Sequence, residues 1–387
     1  MLKGLQGFGN NSFTEEGREY ELVDIIKILR GGENRRTLFQ DLCEDVFDRR
    51  LRFAEFDCLP KGSKLTYLFG KRASAEDKVA TFIRDSGKRV ISSDFQVSPL
   101  IKNALSEVSR TNPISAKLGE AWTRQNIDSI DISPELIMSE PWQSKVWWKK
   151  ERKQQALMQV FSTCRQKLVW YGAPDIVLLS GKNIFVFLSI CQFIWAEYLR
   201  STSESSQIFP KGIDPLTQAT GIHSASEYWF RKVRAEPKGG DDRHRFANVL
   251  GTAIRDRLTR DKSMSYPGEN GFSLPVKDLE AARHVESFLE NCVSFGVLEQ
   301  HSHTSKSRSR GQSQKWFLSS ILTPYFQIPT AHTKEPIYSN IEDIEDWMCS
   351  ARVSSAAGVS RSKLKKKYIS NPIDEQLTLN FRGGVED

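Results

Sequence analysis

Basic side chains are the residues of this sequence whose types and spacing most clearly suggest chemistry. Four of them fall within ten positions in a stretch without acidic residues: Lys306, Arg308, Arg310 and Lys315. Interleaved serines add neutral hydrogen-bond donors. Such a loop can follow phosphate groups or place an arginine in a minor groove. A solvated loop that happens to be basic has the same composition, so this alternative stays open.

A second basic segment lies near the end of the chain. Residues 352–367 contain six basic residues and no acidic one. Together with the small residues among them, they predict a flexible basic arm that adds nonspecific phosphate contacts. The candidate contact residues in this arm are Arg361, Lys363, Lys365, Lys366 and Lys367.

The sequence QLTLNF at residues 376–381 is a candidate partner-binding peptide. It resembles the short peptide by which bacterial replication and repair proteins dock onto the sliding clamp. The resemblance implies that Gln376 enters a polar pocket and that Leu379 and Phe381 enter an apolar one, with Leu377 in the same candidate set. A terminal strand that adds to the protein's own sheet, or chance in a short pattern, are the alternatives.

Patterns that would support catalysis are absent from the sequence. No segment matches GxxxxGK[ST], the loop that cradles nucleotide phosphates, because Ser180-Gly181-Lys182 is followed by Asn183. His301 and His303 have no cysteine or carboxylate at a matching ligand spacing. We therefore expect no metal, no cofactor, no catalytic residues and no enzymatic activity of the chain alone.

Composition predicts a folded protein of more than one domain. The 387 residues are 39% hydrophobic and 27% charged, with a net charge of +7 that is compatible with an acidic partner. The six cysteines stand apart in apolar sequence, as expected for core residues in a reducing compartment. No secretory signal opens the sequence, and the apolar stretch 184–199 is shorter than the ~20 residues that cross a bilayer. We therefore expect a cytoplasmic protein without a membrane segment and with a buried helix at 184–199.

Apolar residues at helical spacing predict that the first half is mostly helical. The expected helices are residues 20–29, a helix from Thr37 to Leu51, one that begins at Ser74, one long amphipathic helix from Trp142 to Trp170, a short helix at 174–181 and the apolar helix at 184–199. The run RVISSDFQV at 89–97 predicts one strand.

The second half follows a polar linker at residues 201–212. Ser224 with Glu227 predicts the start of one helix, and Asp241 with Asp242 the start of the next. A strand at 271–276, one amphipathic helix at 279–296 and a hairpin from VLEQ (297–300) and KWFLSS (315–320) complete the expected elements.

Helices followed by a hairpin with a long basic loop form the winged-helix arrangement, a relative of helix-turn-helix folds. In this arrangement the basic loop is the wing, and a nearby helix supplies major-groove contacts. Lys277, Arg283 and His284 are possible contributors. Residues 243–245, Arg-His-Arg, either contact phosphate or form the polar face of a first turn, and we favour the second.

The run from Ser265 to Tyr338 resembles the C-terminal winged-helix part of bacterial AAA+ ATPases of the origin-recognition type. SYPGENGFSL, FGVL, KWFL, ILTPYFQIP and TKEPIY carry this resemblance. The preceding LLSGKNIFVFLSICQFIW resembles the helical lid of the same ATPases, in which a Ser-Gly-Gly-Asn-like turn opens the sensor-2 helix. The resemblance covers roughly residues 142–350. The sensor-2 arginine of the family would fall near Phe185, which cannot contact a γ-phosphate.

The resemblance implies a non-catalytic subunit that binds duplex DNA and acts with a separate P-loop ATPase or effector. Systems of this family often lie in antiphage or mobile-element loci, so the resemblance also implies a role in defence. Two alternatives stay open. The chain is an adaptor whose winged helix binds a protein partner, or it is half of a split ATPase that is completed in trans.

We therefore predict a mainly α protein with a small β component, in which a helical N-terminal and lid-like region precedes a winged-helix (α+β) domain. The predicted parts are a mostly helical region at 1–140, a lid-like region at 141–200, a linker at 201–214, a winged-helix domain at 215–350, and a basic flexible tail with QLTLNF at 351–387.

Overall fold

The computed structural model describes residues 38–54, 62–83, 90–201, 212–267, 269–304, 312–330 and 336–356. Over these residues the protein is mainly α-helical with one small mixed sheet, which confirms the predicted fold class. The helix predicted at 20–29, most of the linker, the predicted contact residues of the basic arm and QLTLNF lie outside the described residues.

The N-terminal part of the described chain is helical. Its helices are α1 (Leu38–Phe53), α2 (Lys64–Phe69), α3 (Ala75–Phe82), α4 (Pro99–Thr111), α5 (Pro113–Asn126) and α6 (Pro134–Met138). The start predicted at Ser74 is confirmed, because its Oγ accepts from the Asp77 N–H at 3.0 Å. The Asp77 carboxylate accepts in return from the Ser74 N–H at 2.9 Å, which completes a capping box.

The strand predicted at 89–97 is wrong. Residues 90–98 form a loop in which the Phe95 N–H donates to the Ser92 carbonyl at 3.2 Å. The Ser92 N–H donates to the Glu120 carboxylate on α5 at 3.1 Å. A buried side chain therefore binds the backbone group that a neighbouring strand would bind, and the Phe95 ring lies 4.7 Å from the Arg124 guanidinium of the same helix.

A 3₁₀ turn at Pro141–Ser144 leads into α7 (Val146–Thr163), α8 (Ala173–Leu179) and α9 (Ile184–Ser201). The single long helix predicted from Trp142 to Trp170 is wrong at both ends. Glu140 and Arg165 adopt left-handed φ angles of 49° and 56°, so the chain turns before and after α7. The short helix and the apolar helix that were predicted after it are confirmed as α8 and α9.

Two long helices, α10 (Pro215–Ala235) and α11 (Gly240–Arg260), follow. The helix start predicted at Ser224 is wrong, because Asp214 caps α10 by accepting from the Leu216 and Thr217 N–H groups at 3.0 Å. Ser224 consequently lies inside α10. The start predicted at Asp241 agrees with α11, in which this aspartate lies in the first turn.

The sheet contains β1 (Gly271–Pro275), β2 (Leu298–Thr304), β3 (Gln312–Leu318) and β4 (Ile337–Tyr338) in the order β2-β3-β1-β4. β3 is antiparallel to both β1 and β2, whereas β4 is parallel to β1. The predicted strand and hairpin are therefore confirmed. β2 extends four residues beyond the predicted VLEQ, to Thr304.

Four further helices are α12 (Val276–Ala281), α13 (Arg283–Ser294), the short α14 (Thr323–Phe326) and α15 (Ile341–Ala356). The single helix predicted at 279–296 is wrong. Ala282, with φ −113° and ψ 65°, breaks the helical path, and α13 begins at the next residue. The chain reverses after α13 at Gly296, whose φ of 70° suits a residue without a side chain.

Side chains of α7 join the N-terminal part to α11. Gln159 donates to the Leu258 and Asp261 carbonyls at 2.8 Å, and Gln155 donates to the Leu258 carbonyl at 3.0 Å. Arg152 donates to the Met264 carbonyl just beyond the helix at 2.9 Å. These donors satisfy carbonyls that the end of a helix leaves unpaired. The two parts of the chain thus share one hydrogen-bonded junction.

α9 is long and apolar enough to cross a membrane by length and composition alone, a test that core helices of soluble proteins also pass. One face packs in the interior, where Phe187 and Ile190 are buried and the Phe187 ring lies 6.5 Å from that of Phe47 on α1. The opposite face is exposed at Phe185 and Leu199. The prediction of a buried helix is therefore correct for one face only.

The core placement predicted for the cysteines is confirmed for Cys43, Cys191 and Cys292, which are buried. Burial raises the pKa of the Cys43 thiol to about 12, and it raises the pKa of the other two thiols as well. The prediction is wrong for Cys349, which is exposed on α15. Cys58 lies outside the described residues.

Candidate nucleic-acid interface

The hairpin β2–β3 fixes both ends of the predicted basic wing. Leu298 pairs with Leu318 at its base and Thr304 pairs with Gln312 at its far end. The residues that connect the strands there, 305–311, include Lys306, Arg308 and Arg310 and lie outside the described residues. These three predicted contact residues consequently belong to the segment that joins two paired strand ends, while Lys315 lies on β3 itself.

Lys315 differs from a freely exposed phosphate contact. Its ammonium lies 5.7 Å from the centre of the Phe317 ring, two residues along the same strand. The residue opposite on β2 is His301. Burial lowers the pKa of Lys315. Its stem therefore packs on the sheet, and only the end of the side chain can serve a ligand at the hairpin.

The other face of the hairpin anchors it in the core. Trp316 stacks on Phe272 of β1 with ring centres 5.4 Å apart and planes at 19°. Trp347 of α15 meets the same phenylalanine edge-on at 5.5 Å. Alternation along β3 thus places an aromatic stack on one face and Lys315 on the other, so the strand that follows the basic segment is anchored in the core.

The hairpin sequence itself is poor in acidic residues. The sequence contains no acidic residue between Glu299 and the end of β3 at Leu318. Glu299 itself accepts from the Ser320 N–H at 2.8 Å and from its hydroxyl at 2.9 Å, at the base of the hairpin. The basic side chains near the far end therefore have no acidic neighbour within the hairpin sequence.

The residues predicted to enter a major groove have mixed surroundings. Arg283, at the start of α13, pairs with Glu286 at 2.7 Å, and His284 pairs with Glu345 of α15 at 2.7 Å. Lys277 is exposed on the separate helix α12. α13 also exposes Glu290. The three candidates thus lie on the helices that precede the hairpin, but Arg283 and His284 are already bound to carboxylates.

The Arg-His-Arg run at 243–245 has a structural role at its first two positions. The Arg243 guanidinium is buried and donates to the carbonyls of Lys238 and Pro237 at 2.6 and 2.8 Å. It also lies 3.8 Å from the centre of the Phe295 ring. His244 stacks on the Phe230 ring at 4.1 Å, and burial lowers its pKa. The alternative in which Arg243 contacts phosphate is excluded by these contacts.

The described residues contain no group of three or more potential metal-ligating side chains. His301 meets the Phe317 ring edge-on at 5.7 Å. A packing contact of this kind needs no metal. The prediction that this histidine pair is not a metal site remains a prediction, because the side chain of His303 is outside the described set.

The turn before α9 has the shape that its sequence predicts. Gly181 and Lys182 adopt φ angles of 58° and 63°. The Asn183 side-chain oxygen then accepts from the Phe185 N–H at 2.9 Å and caps α9. A Cβ on Gly181 would lie 3.0 Å from the Glu299 carboxylate, so glycine allows the turn to approach the base of the hairpin.

An apolar stripe lies on the outer face of α9. Phe185 is 74% exposed and Leu199 is 57% exposed, and exposed Gln192 lies midway between them. Their seven-residue spacing places all three on one side of the helix. Tyr228 of α10 extends the surface, with its ring 5.4 Å from that of Phe193. We call this surface the α9 stripe. Large contiguous apolar surfaces are typical of partner-binding sites, and in the α9 stripe polar Gln192 separates the two exposed apolar residues of the helix.

A comparison with protein families identifies the family to which this chain belongs. The family described as ORC-CDC6-like matches residues 6–337, which is most of the sequence. The protein belongs to the ORC-CDC6-like family. No curated protein matches this chain, and no solved structure matches it. The predicted relationship to origin-recognition-type AAA+ proteins is thereby confirmed.

The ORC-CDC6-like match is longer than the resemblance found in the sequence, which began near residue 142. It includes the helices α1 to α6, so the N-terminal region belongs to the family as well. The match ends at Ile337, before the basic arm and QLTLNF. Both predicted tail sites are therefore features that the ORC-CDC6-like match does not include.

Sequence reasoning missed a buried charge network in this ORC-CDC6-like chain. The Lys117 ammonium and the Glu120 carboxylate on α5 are fully buried and lie 2.9 Å apart. The ammonium also donates to the Ser92 hydroxyl at 2.9 Å. Lysine and glutamate three residues apart usually indicate a solvated helix face. The available signal was the small residues around them, since a Cβ on Gly119 would lie 2.6 Å from the Trp142 ring and this glycine therefore allows Trp142 to pack closely on the helix.

Proposed function

We propose that this ORC-CDC6-like chain is a non-catalytic subunit that binds duplex DNA through the β2–β3 hairpin and acts with a separate ATPase or effector. The observation that carries the proposal is the joining of paired strands by a segment with three basic residues, in a hairpin sequence without acidic residues beyond Glu299. Such a segment attracts the phosphate backbone electrostatically.

The order of elements supports the same function. Helix α11, strand β1, helices α12 and α13 and the hairpin β2–β3 follow one another along the chain. β1 pairs with β3, so the strand before α12 and the hairpin after α13 lie in one sheet. This order is the one found in winged-helix domains, whose hairpin and adjacent helix contact duplex DNA.

The paired charges on α13 favour backbone binding over base readout. Arg283 and His284 would each have to leave a carboxylate in order to contact a base. Arginine or lysine bound to guanine is the commonest base-specific contact, and α13 has only Arg283 for that purpose. We therefore propose weak sequence preference, with affinity supplied mainly by phosphates.

The α9 stripe supports the involvement of a separate subunit. Phe185 occupies the place where the resemblance would put a sensor-2 arginine, so this position offers an apolar contact instead of a charge for a γ-phosphate. An adaptor function that uses the same stripe without DNA is the second candidate. The two differ in whether the isolated chain binds duplex DNA.

Two further proposals concern the tail and the biological setting. Gln376, Leu377, Leu379 and Phe381 dock onto a sliding clamp, and the basic arm adds phosphate contacts. Pull-down of purified clamp by the full chain, compared with a Gln376→Ala/Phe381→Ala variant, tests the first idea, and equal capture would contradict it. A defence role predicts that deletion of the gene increases phage sensitivity, and unchanged plating would contradict it.

Fluorescence anisotropy of labelled duplex DNA across a salt series tests the main proposal. The variant replaces Lys306, Arg308, Arg310 and Lys315 with alanine. A matched control replaces four exposed arginines that each pair with a carboxylate: Arg49, Arg110, Arg200 and Arg231. Both variants lose four positive charges, so they separate local contacts from net charge.

We expect the native chain to bind with a steep salt dependence. The hairpin variant should lose about 0.9 per phosphate contact from the slope, or roughly 3–4 in total, while the control keeps its slope within about one unit. Equal slopes for both variants would show that the hairpin is not the contact. Absence of binding by a folded native chain at low salt would favour the adaptor.

A further inference from the structure

A cleft of about 410 Å³ lies where the end of α5 meets the end of α11. Its charged lining consists of Asp94, Arg124, Arg260, Asp261 and Lys262. None of the residues of the turn before α9 or of the hairpin lines it. The cleft is therefore separate from the proposed DNA contact, and its function does not depend on that proposal. Its volume lies in the range of small-molecule sites.

Most charges in the cleft already have partners. The Arg124 guanidinium binds Glu120 at 3.0 Å and Asp94 at 3.2 Å. Asp261 accepts from the Ser263 hydroxyl at 2.9 Å and from the Ser265 and Tyr266 N–H groups at 3.3 Å. These contacts hold the acidic groups in place and reduce their capacity to bind a further cation.

Lys262 differs from its neighbours. No carboxylate of the described residues forms an ion pair with its ammonium. The side chain is half-buried, and burial together with the nearby positive charge of Lys117 lowers its pKa. The lining therefore has three basic and two acidic side chains, and Lys262 is the basic side chain without a close carboxylate partner among the described residues, although the charges of Glu120 and Asp94 still act on it from farther away. A bound anion would stabilise a half-buried cation of this kind, because it would offset the free-energy cost of burying the charge.

We propose that this cleft binds a phosphate group, with Lys262 as the main contact and Arg260 and Arg124 beside it. Guanidinium and ammonium groups suit the several oxygens of a phosphate, which accepts more charge-assisted hydrogen bonds than a carboxylate does. Ser263 and Gln96 line the same cleft and add neutral polar groups. The phosphate belongs either to a mononucleotide or to a nucleic-acid backbone.

A second cleft provides a matched control. It measures about 430 Å³ and is lined by Lys71 and Asp77, whose charges balance. A lysine-to-glutamine change at position 71 removes the same charge from a cleft of similar size. The proposal predicts that this change leaves phosphate binding unaltered.

Isothermal titration calorimetry on the full chain tests the proposal with inorganic phosphate and adenosine 5′-monophosphate at constant ionic strength. We expect Lys262→Gln to weaken binding about tenfold, as loss of a charge-assisted contact implies. Lys71→Gln and the hairpin variant should bind as the native chain does. Competition by single-stranded DNA would assign the phosphate to a nucleic acid, and its absence would assign it to a mononucleotide.

Three results would overturn the proposal. The native chain binds neither probe, or Lys262→Gln binds both probes like the native chain, or the hairpin variant loses phosphate binding. The last result would place the phosphate on the hairpin. Because the DNA experiment and this one use different probes and different variants, failure of either proposal is visible by itself. Thermal melting without phosphate checks that Lys262→Gln remains folded.

Discussion

Two regions of this protein hold basic side chains in opposite surroundings. In the N-terminal part, Lys117 is fully buried against Glu120, and Lys78 binds Asp175 of α8 at 2.6 Å. In the hairpin, Lys315 lies at the edge of a segment without acidic residues. The residue types are the same, but the lysines of the N-terminal part have carboxylate partners, whereas Lys315 forms no ion pair with a carboxylate of the described residues. The partner of a charge therefore indicates its role better than its type does.

Arg243 shows that the part of the chain in which a basic residue lies does not tell whether the protein itself binds its charge. It lies in the same part of the molecule as the hairpin, yet it donates to two backbone carbonyls and is buried. A count of basic residues would have included it among the DNA contacts. Substitution of a basic residue that is bound within the protein should therefore lower stability, whereas substitution of a basic residue of the hairpin should weaken DNA binding. Stability and DNA binding can be measured separately.

The largest expected effect is on stability when Lys117 loses its charge. Lys117→Met should lower the free energy of unfolding by about 3–5 kcal/mol, because Glu120 stays buried without its closest cation. Urea denaturation measures this change. Arg110→Met removes one partner of an exposed pair with the same three-residue spacing and should cost at most about 1 kcal/mol. Equal losses for both variants would contradict the comparison.

His223 predicts a smaller, pH-dependent effect. Its Nε2–H donates to the Leu168 carbonyl oxygen at 3.0 Å, and burial lowers its pKa from 6.5 to about 4. The imidazole of His223 binds a proton more tightly in the unfolded chain than in the folded one. Neutral His223 therefore contributes its full stabilisation above pH 6.5, and this contribution falls as the pH drops towards 4. The contribution lost is about 3 kcal/mol.

Urea denaturation from pH 7.5 to 4.5 measures the His223 effect. His223→Gln should flatten the decline relative to the native chain. His284→Gln is the matched control, because it removes an exposed histidine instead of a buried one. A native-like decline in the His223 variant would show that other groups cause it.

Arg243 should affect stability without affecting DNA binding. Arg243→Met leaves the Lys238 and Pro237 carbonyls without their charged donor and should lower the unfolding free energy by about 2 kcal/mol. The salt slope of DNA binding should stay that of the native chain. A lower slope with unchanged stability would move Arg243 into the set that binds ligands.

The smallest expected effect comes from α12 and α13. Lys277→Ala/Arg283→Ala should weaken duplex binding by less than about 1 kcal/mol, since Arg283 is already paired with Glu286. Anisotropy at fixed salt measures the change on two unrelated duplexes. A loss confined to one duplex would show base readout and would contradict binding through the backbone alone.

Local signals predicted much of the fold. The capping box at Ser74, the apolar period of α9 and the alternation of the hairpin each depend on residues close in sequence, and each is present in the structure. The errors came where distant residues decide. Asp214 caps α10 earlier than the Ser224 signal suggested, and Glu120 binds the loop that resembles a strand.

The candidate site was predictable in composition but less so in detail. The two strands of the hairpin follow from sequence, and so does the family, while the predicted basic wing between the strands lies outside the described residues. The pairing of His284 with Glu345 joins residues 61 positions apart, and the packing of Lys315 on Phe317 depends on strand register. The cleft beside Lys262 is formed by segments that are distant in sequence, so no local pattern marked it.

Hydrogen exchange with and without duplex DNA tests the central claim most directly, because it locates the contact on the native chain. DNA binding through the hairpin predicts slower exchange in peptides that cover residues 298–318 and unchanged exchange in α5 at 113–126. Binding that leaves the hairpin peptides unchanged, or that protects α13 alone, would contradict the account.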